Sequence, residues 1–494
     1  MALRRLKLSH AIRIRGNKEL MAEMLAQVAL SVGDKREGSV LYLTFISIVS
    51  ALGGLLFGFD TVVISGTLTP LRFQFMLSPA LEGWLVSSGL LACATGAALA
   101  GMLTDRFGRK PVLLLAGWLF VLCSIGCALA WNVNILIGAR AVGGVGVGLA
   151  SMVSPLYISE VSLPRLRGRM VTLFQFAITI GICLALVSNA WLHHLSVHGA
   201  GIQNGGLYRW MVVRQVWRAM YGMELFPSLL FALLCFVIPE TPRWLMKAGY
   251  SERALEILCK IGGRAVGEKE IHEIQEAVAQ ETSSITQLFE PGLRRALCVA
   301  LFLAIVSELS GITVVLYYGP GILEKAGFSL GEALGGFVSI GLVNVVFTVI
   351  AIWLMDSVGR RPLLFIGTTG AFFALASIGF LFQAGYREGP PLVAMMCLFV
   401  ACFAFSMGPI KWVVMSEIFP TRIRGRAVAI ATLAVWVTDG VYNQIFPMAR
   451  NSLGMAGSFF IFAAVLIPQF FFIWKVMPET KGRSLEQIER SWSQ

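Results

Sequence analysis

Twelve apolar stretches dominate the chain of 494 residues. Each is long enough to cross a bilayer as a helix, which takes roughly 20 residues. Only 14% of the residues are charged and 56% are hydrophobic, whereas a soluble domain carries roughly a quarter charged residues. The pattern predicts an all-α integral membrane protein with twelve transmembrane helices. The stretches lie near residues 40–66, 82–103, 112–131, 135–158, 171–192, 220–238, 296–324, 334–354, 363–384, 391–416, 428–449 and 455–476.

Basic residues follow the even-numbered stretches, which indicates the orientation in the membrane. Arginine and lysine cluster in 106–110, 165–169, 360–361 and 422–426. Because cytoplasmic loops carry the excess of lysine and arginine, we expect both termini in the cytoplasm. The net charge of +12 is then explained by topology, and we expect no nucleic-acid partner. One basic segment, 193–218, falls on the external side and departs from this rule.

Three sequence motifs occur twice, in the same order, and indicate two related halves. The segments 104–111, 159–169 and 239–241 recur as 355–362, 416–426 and 478–480. Two repeats with a site between them at the midplane form a common plan of transporters, in which one half rocks against the other. We therefore predict two pseudo-symmetric six-helix bundles.

The same repeats set the predicted domain boundaries. Between the halves, 251–261 and 268–281 have the pattern of short amphipathic helices on the cytoplasmic surface. The predicted parts are an N-terminal cytoplasmic tail at 1–38, a first bundle at 39–241, a cytoplasmic helical linker at 242–295, a second bundle at 296–477 and a C-terminal cytoplasmic tail at 478–494.

Acidic and basic residues recur at matching places in the cytoplasmic loops of both halves. Pairs such as Asp105 with Arg109 and Glu160 with Arg167 can form charge-assisted hydrogen bonds across helix ends. We predict a cytoplasmic gate that these pairs hold shut, although the basic residues could also serve topology alone. The predicted gate residues are Asp105, Arg109, Glu160, Arg167, Asp356, Arg360, Glu417 and Arg424.

The repeated loops also carry a family resemblance. Residues 105–110 and 356–361, the segment 239–244 and the segment 478–483 resemble the motifs of sugar porters of the major facilitator superfamily. The stretches 56–66 and 144–155 are similar to bacterial proton-linked pentose and hexose symporters. The resemblance implies the major facilitator fold, sugar transport and a monomer in the bacterial inner membrane.

No sequence feature indicates an enzyme. The chain offers no nucleophile–base pair and no phosphate-binding glycine loop, and its nine cysteines include no Cys-x-x-Cys pair. We therefore expect neither a cofactor nor a metal ion. The expected partners are a small sugar-like substrate, a proton and the lipid bilayer.

A charged residue, Asp60, lies in the middle of the first apolar stretch. A lone charge at that depth is costly, so it requires a partner, a cavity or a proton. The resemblance implies that Asp60, Arg140 and Glu224 are the proton-coupling residues, with an Asp60–Arg140 pair that breaks on protonation. The alternatives are a static ion pair between helices and a facilitative uniporter.

The resemblance also implies a sugar pocket of amides and aromatic rings. Amides bind vicinal hydroxyls, and aromatic faces stack on the C–H face of a sugar. The matching residues are Gln175, Asn344, Tyr317, Tyr318 and Trp412. Gly408 and Pro409 are expected to break the tenth span.

Several pocket positions depart from the family pattern. Ser307, Glu308 and Thr313 replace amides of the seventh span, Lys411 precedes Trp412, and Asp439 stands where an amide is usual. In one interpretation Glu308 and Lys411 pair with each other and the substrate is a neutral sugar or polyol. In the other, Lys411 faces a charged derivative such as a sugar acid or amino sugar.

The predicted function is proton-coupled symport of a monosaccharide or polyol by alternating access. A facilitative uniporter and a solute sensor that signals through its tails are the rivals. The predicted tails, 1–38 and 478–494, are short for a signalling domain.

Overall fold

The computed structural model describes residues 38–199, 206–279, 291–386, 389–419, 423–477 and 479. Nearly all of these residues are helical, and no strand occurs among them. Residues 1–37 of the predicted N-terminal tail, 280–290 of the linker and all but one residue of the predicted C-terminal tail lie outside the described residues.

The first half contains six spans that run in alternating directions. The sixth span is interrupted at Met223 and Glu224. A short helix, Gly206–Tyr208, and a π-helix, Arg209–Arg214, precede it. The spans are Val40–Phe75, Pro79–Phe107, Arg109–Leu129, Val133–Val161, Arg167–His198, and Val216–Gly222 with Leu225–Val237.

The second half repeats this arrangement. Eleven helices in the described residues are long and apolar enough to cross a membrane, and the last of them contains a kink at Gly454, where φ is 72°. Division at Gly454 gives twelve spans, as predicted. The second-half helices are Pro291–Leu309 with Ile312–Lys325, Leu330–Ser357, Arg360–Gln383, Gly389–Phe405 with Met407–Glu417, and Arg424–Lys475.

The turns between spans define two ends of the bundles. At one end, Gly108 and Gly359 join consecutive spans with φ of 96° and 102°, a backbone conformation that favours glycine. We call this end, with the loops 106–110 and 357–361, the basic end. The opposite end, with the turns at 76–78 and 326–329 and the kink at Gly454, is the far end.

Two spans of the second half are broken near their middle. The seventh span breaks at Ser310 and Gly311, and Gly311 has φ of 84°. The tenth span breaks at Ser406, two residues before the predicted site at Gly408 and Pro409. In a continuous helix the Pro409 ring would clash with the carbonyl of Phe405, which favours a break shortly before the proline.

The segment between the halves folds into three helices, Pro242–Lys247, Ser251–Gly262 and Arg264–Ala279. The prediction of short helices here is confirmed, although the third begins four residues earlier than expected. Ser39 N–H donates to the Lys260 carbonyl at 3.0 Å, within a compact unit formed by 38–45 and Pro242–Ala279. The described remainder of the chain, which includes both bundles, forms the other unit.

Candidate transport site and gates

The three predicted proton-coupling residues are buried in the first bundle. Asp60 on the first span, Arg140 on the fourth and Glu224 at the break of the sixth are 2%, 3% and 0% exposed. One oxygen of each carboxylate and the Cys123 sulfur all lie within 4.8 Å of one another. The structure therefore brings the predicted Asp60 and Glu224 into one cluster, together with a thiol that the sequence analysis did not single out.

Arg140 makes its hydrogen bonds away from both carboxylates. Its Nε donates to the Leu85 carbonyl at 3.3 Å, and its Nη1 donates to Tyr221 Oη at 3.5 Å. Asp60 Oδ1 accepts from Cys123 Sγ at 3.4 Å. Among the described residues, Asp60 and Arg140 are not within salt-bridge distance, so the expected direct pair is not formed in this structure.

Glu224 is the most isolated of the three groups. Neither of its carboxylate oxygens has a hydrogen-bond partner among the described residues, although both are buried. Glu224 lies where the sixth span is interrupted, immediately before Leu225–Val237. The cluster thus holds two carboxyl groups near one guanidinium whose hydrogen bonds are made elsewhere.

In the second bundle, Glu308 and Lys411 form a buried ion pair between the seventh and tenth spans. Their side chains are 4% and 8% exposed. Lys411 Nζ also lies 5.4 Å from the centre of the Trp412 ring, and Ser307 Oγ lies 3.5 Å from Glu308 Oε1. Four residues that the sequence analysis named are therefore neighbours here.

A second polar network joins the seventh and eleventh spans. Thr313 Oγ1 donates to Asp439 Oδ1 at 2.5 Å. Asn443 Nδ2 donates to Thr313 Oγ1 at 3.0 Å and to Asp439 Oδ1 at 2.8 Å. Asn443 was missed by the sequence analysis. Its position one helical turn after Asp439 in an apolar stretch is the signal that could have identified it.

The remaining pocket candidates make few hydrogen bonds within the protein. Gln175, Asn344 and Tyr317 form no hydrogen bond with another described residue, so their polar groups remain available to a ligand. Asn344 and Tyr317 are buried, and Gln175 is half-buried. Tyr318 differs, because its hydroxyl donates to the Asn443 carbonyl at 3.1 Å.

At the basic end of the first bundle, the gate pairing differs from the prediction. Arg109 Nη2 pairs with Glu160 Oε1 at 2.8 Å, and Thr241 Oγ1 donates to Glu160 Oε2 at 2.7 Å. The predicted Glu160–Arg167 pair is wrong, because Arg167 Nε donates to the Ser159 carbonyl at 3.1 Å instead. Asp105 is exposed at the end of the second span.

Glu240 belongs to the same network, although the sequence marked it only as part of a repeated motif. Its two carboxylate oxygens accept the N–H groups of Arg109 and Lys110, each at 3.0 Å, and so cap the start of the third span. Burial raises the pKa of the Glu240 carboxyl, although the N–H groups that donate to it act in the opposite direction.

The second bundle repeats the same network. Arg360 Nη2 pairs with Glu417 Oε1 at 3.0 Å. Glu479 accepts the N–H groups of Arg360 and Arg361 at 3.1 and 3.0 Å, as Glu240 does in the first bundle. The side chains of Asp356 and Arg424 lie outside the described residues.

At the far end, hydrogen bonds connect the two bundles. Glu82 on the second span accepts from Arg72 of its own bundle at 2.7 Å and from Arg450 of the other bundle at 3.5 Å. Three further bonds cross between the bundles nearby: Thr69 Oγ1 to Glu324 Oε2 at 2.6 Å, Ser87 Oγ to Gln444 Oε1 at 2.7 Å, and Gln444 Nε2 to the Ala80 carbonyl at 3.1 Å. These contacts were not predicted from the sequence.

The chain has close relatives among known proteins. The family profile "Sugar (and other) transporter" matches residues 46–492. An arabinose-proton symporter of Bacillus subtilis is 38% identical over 467 residues, which cover 94% of this chain and 98% of the relative. A D-xylose-proton symporter of Escherichia coli is 37% identical over an alignment of 487 positions that covers 91% of this chain and 96% of the relative.

Solved structures agree with this assignment. The xylose transporter XylE from E. coli, in a partially occluded inward open conformation, superposes with a TM-score of 0.78 at 34% identity, covering 90% of this chain and 99% of that chain. XylE bound to 6-bromo-6-deoxy-D-glucose superposes with a TM-score of 0.76. The chain therefore belongs to the sugar transporter family of the major facilitator superfamily, as a multi-pass membrane transporter and not an enzyme.

Proposed function

We propose that the protein is a proton-coupled symporter of a monosaccharide or polyol that works by alternating access. The relatives named above are symporters of protons with arabinose or xylose. The observation that carries the proposal is the buried cluster of Asp60, Glu224 and Arg140 in the first bundle.

Charge balance explains why this cluster suits a proton. With both carboxyl groups ionised, Asp60 and Glu224 carry two negative charges against the single positive charge of Arg140. A charged side chain at the bilayer centre costs about 3 kcal/mol or more. One proton makes the cluster neutral, so a loaded carrier changes conformation at a lower electrostatic cost than an unloaded one. This difference is what couples the proton gradient to the rocking motion.

The second-bundle contacts favour a neutral substrate over a sugar acid. Lys411 is already bound to Glu308, so it offers no free positive charge to an anionic group. Asp439 adds a further acidic group to the same bundle. A sugar hydroxyl can donate to these carboxylates and accept from Asn344 or Gln175. An amino sugar remains the second candidate, because a net acidic site tolerates a cation.

The basic loops support an orientation with the basic end in the cytoplasm. Both termini are then cytoplasmic, and the protein acts as a monomer in a bacterial inner membrane. In this orientation the networks around Glu160 with Glu240 and Glu417 with Glu479 stabilise helix ends at the inward gate. Each network lies within one half of the protein, so it holds the helix ends of that half together.

Uptake into proteoliposomes tests the coupling. With an imposed pH gradient, we expect the wild type to accumulate its sugar and to take up protons with it. Asp60→Asn should lose accumulation and sugar-dependent proton uptake while still exchanging sugar between the two sides. Glu256→Gln, which removes an exposed carboxylate from the linker, is the control and should resemble the wild type.

Two outcomes would contradict the proposal. If Asp60→Asn still accumulates sugar against its gradient, Asp60 is not the coupling residue. If the wild type equilibrates sugar without proton movement, the protein is a uniporter. Thermal-shift measurements with neutral sugars, inositols, sugar acids and amino sugars identify the substrate class independently of transport.

A further inference from the structure

We propose that Asp439 forms a second proton-binding site, in the second bundle, so that the transporter carries a titratable site in each half. The inference rests on the proposed proton coupling and extends it. It follows from the charges, hydrogen bonds and burial around the eleventh span.

The charge balance leaves Asp439 without a counter-ion. Asp439 is 2% exposed, and the nearby buried charges of its bundle are Glu308 and Lys411. Because the Lys411 ammonium is bound to Glu308, one carboxyl group of the three-residue set is uncompensated. A buried carboxylate inside the bilayer requires a cation, a cavity or a proton. A proton is the smallest charge that restores neutrality.

The hydrogen bonds show which carboxyl oxygen of Asp439 is free to bind a proton. Asn443 Nδ2 donates to Thr313 Oγ1, which leaves the Thr313 hydroxyl hydrogen to donate to Asp439 Oδ1. Asn443 Nδ2 also donates to Oδ1, so this oxygen acts as a double acceptor. Asp439 Oδ2 makes no hydrogen bond with another described residue, and it is the atom to which we assign the proton.

Two opposing influences act on the protonation of Asp439. Donation by a hydroxyl and an amide stabilises the ionised carboxylate, whereas burial in an apolar span stabilises the neutral acid. The titratable and charged groups that interact with Asp439 are Cys93 on the second span, Glu308, Tyr317 and Tyr318 on the seventh, and Lys411 on the tenth. The Glu308 and Lys411 charges largely offset each other. The net charge of the three-residue set therefore depends on whether Asp439 is protonated.

The two bundles then share one charge arrangement. In each bundle, a set of two buried carboxyl groups lies near one buried cation, namely Asp60, Glu224 and Arg140 in the first and Glu308, Asp439 and Lys411 in the second. Each becomes neutral when it binds one proton. A carrier that moves only when both sets are neutral takes about two protons with each sugar.

The proton-to-sugar ratio tests this inference. In proteoliposomes, the sugar gradient that just cancels a fixed proton gradient reports the ratio without depending on transport rate. We expect a ratio of about two for the wild type and about one for Asp439→Asn. Asp439→Glu, which retains a carboxyl group, should keep the higher ratio. A ratio of one in the wild type would overturn the inference.

Infrared spectroscopy of purified protein provides a test that does not require transport. We expect a carboxylic acid C=O band that changes with pH and is missing in Asp439→Asn. A band that stays protonated from about pH 5 to about pH 9 would overturn the inference, because the acid would be a permanent hydrogen-bonding group. If instead Asp60→Asn remains coupled while the Asp439 band titrates, the proposed role of Asp60 fails and the second site stands.

Discussion

At the scale of single residues, the Glu308–Lys411 ion pair makes a specific prediction about stability. Removing one partner leaves a buried charge uncompensated, which costs about 3–5 kcal/mol, whereas removing both is much milder. We expect Lys411→Met to lower the melting temperature in detergent strongly. The double variant Glu308→Gln with Lys411→Met should recover most of the loss.

Glu308→Gln alone completes the comparison, because it leaves Lys411 as the uncompensated charge. All four proteins should be compared by thermal unfolding at the same detergent and salt concentrations. If the double variant is as unstable as the sum of the two single variants, the pair does not interact as the structure indicates.

Residue contacts were predictable where a charge interrupts an apolar stretch. Glu308 and Lys411 stand out in this way, and each has the other as its nearest charge. The contacts of Glu160 were not predictable, because its partner Arg109 is 51 residues away on another span. Sequence spacing favoured Arg167, which begins the next helix and donates to a carbonyl instead.

At the scale of elements, the break of the seventh span depends on Gly311. Its φ of 84° favours glycine, and a Cβ there would lie 2.6 Å from Phe462 Cδ2. We expect Gly311→Ala to destabilise the protein by about 1–3 kcal/mol and to reduce sugar uptake. Gly335→Ala, at a helical position whose Cβ would meet no atom within 4 Å, is the control. Equal melting temperatures for the two variants would contradict the assigned role of Gly311.

Hydropathy predicted the twelve spans but not their interruptions. Each span is long and apolar, and its mean hydropathy does not depend on how the helix is rotated in the bundle. The breaks at Gly311, Ser406 and Glu224 depend on what packs beside them, which a single sequence does not contain. The first span also extends to Phe75, well beyond the predicted residue 66, and Arg72 near its end pairs with Glu82.

At the scale of the whole molecule, the far-end hydrogen bonds join the two bundles and so favour one conformation of the carrier. Arg450 and Arg72 both bind Glu82, but only Arg450 belongs to the opposite bundle. Arg450→Gln therefore removes a link between the bundles, while Arg72→Gln removes a link within one bundle. The two variants lose the same charge and share the same acceptor, so they form a matched pair.

Arg450→Gln should shift the carrier towards conformations that are open at the far end. The Arg450–Glu82 contact is long for a hydrogen bond, at 3.5 Å, so we expect it to contribute about 1 kcal/mol, enough to change the ratio of two conformations about fivefold. Spin labels carried by unnatural amino acids at Phe73 and Leu453, one exposed residue on each bundle, would report the opening as a longer distance. We expect that longer component in Arg450→Gln and much less of it in Arg72→Gln. If the two variants give the same distances, the link between Glu82 and Arg450 does not hold the bundles together, and closure of the far end depends on packing of the second and eleventh spans instead.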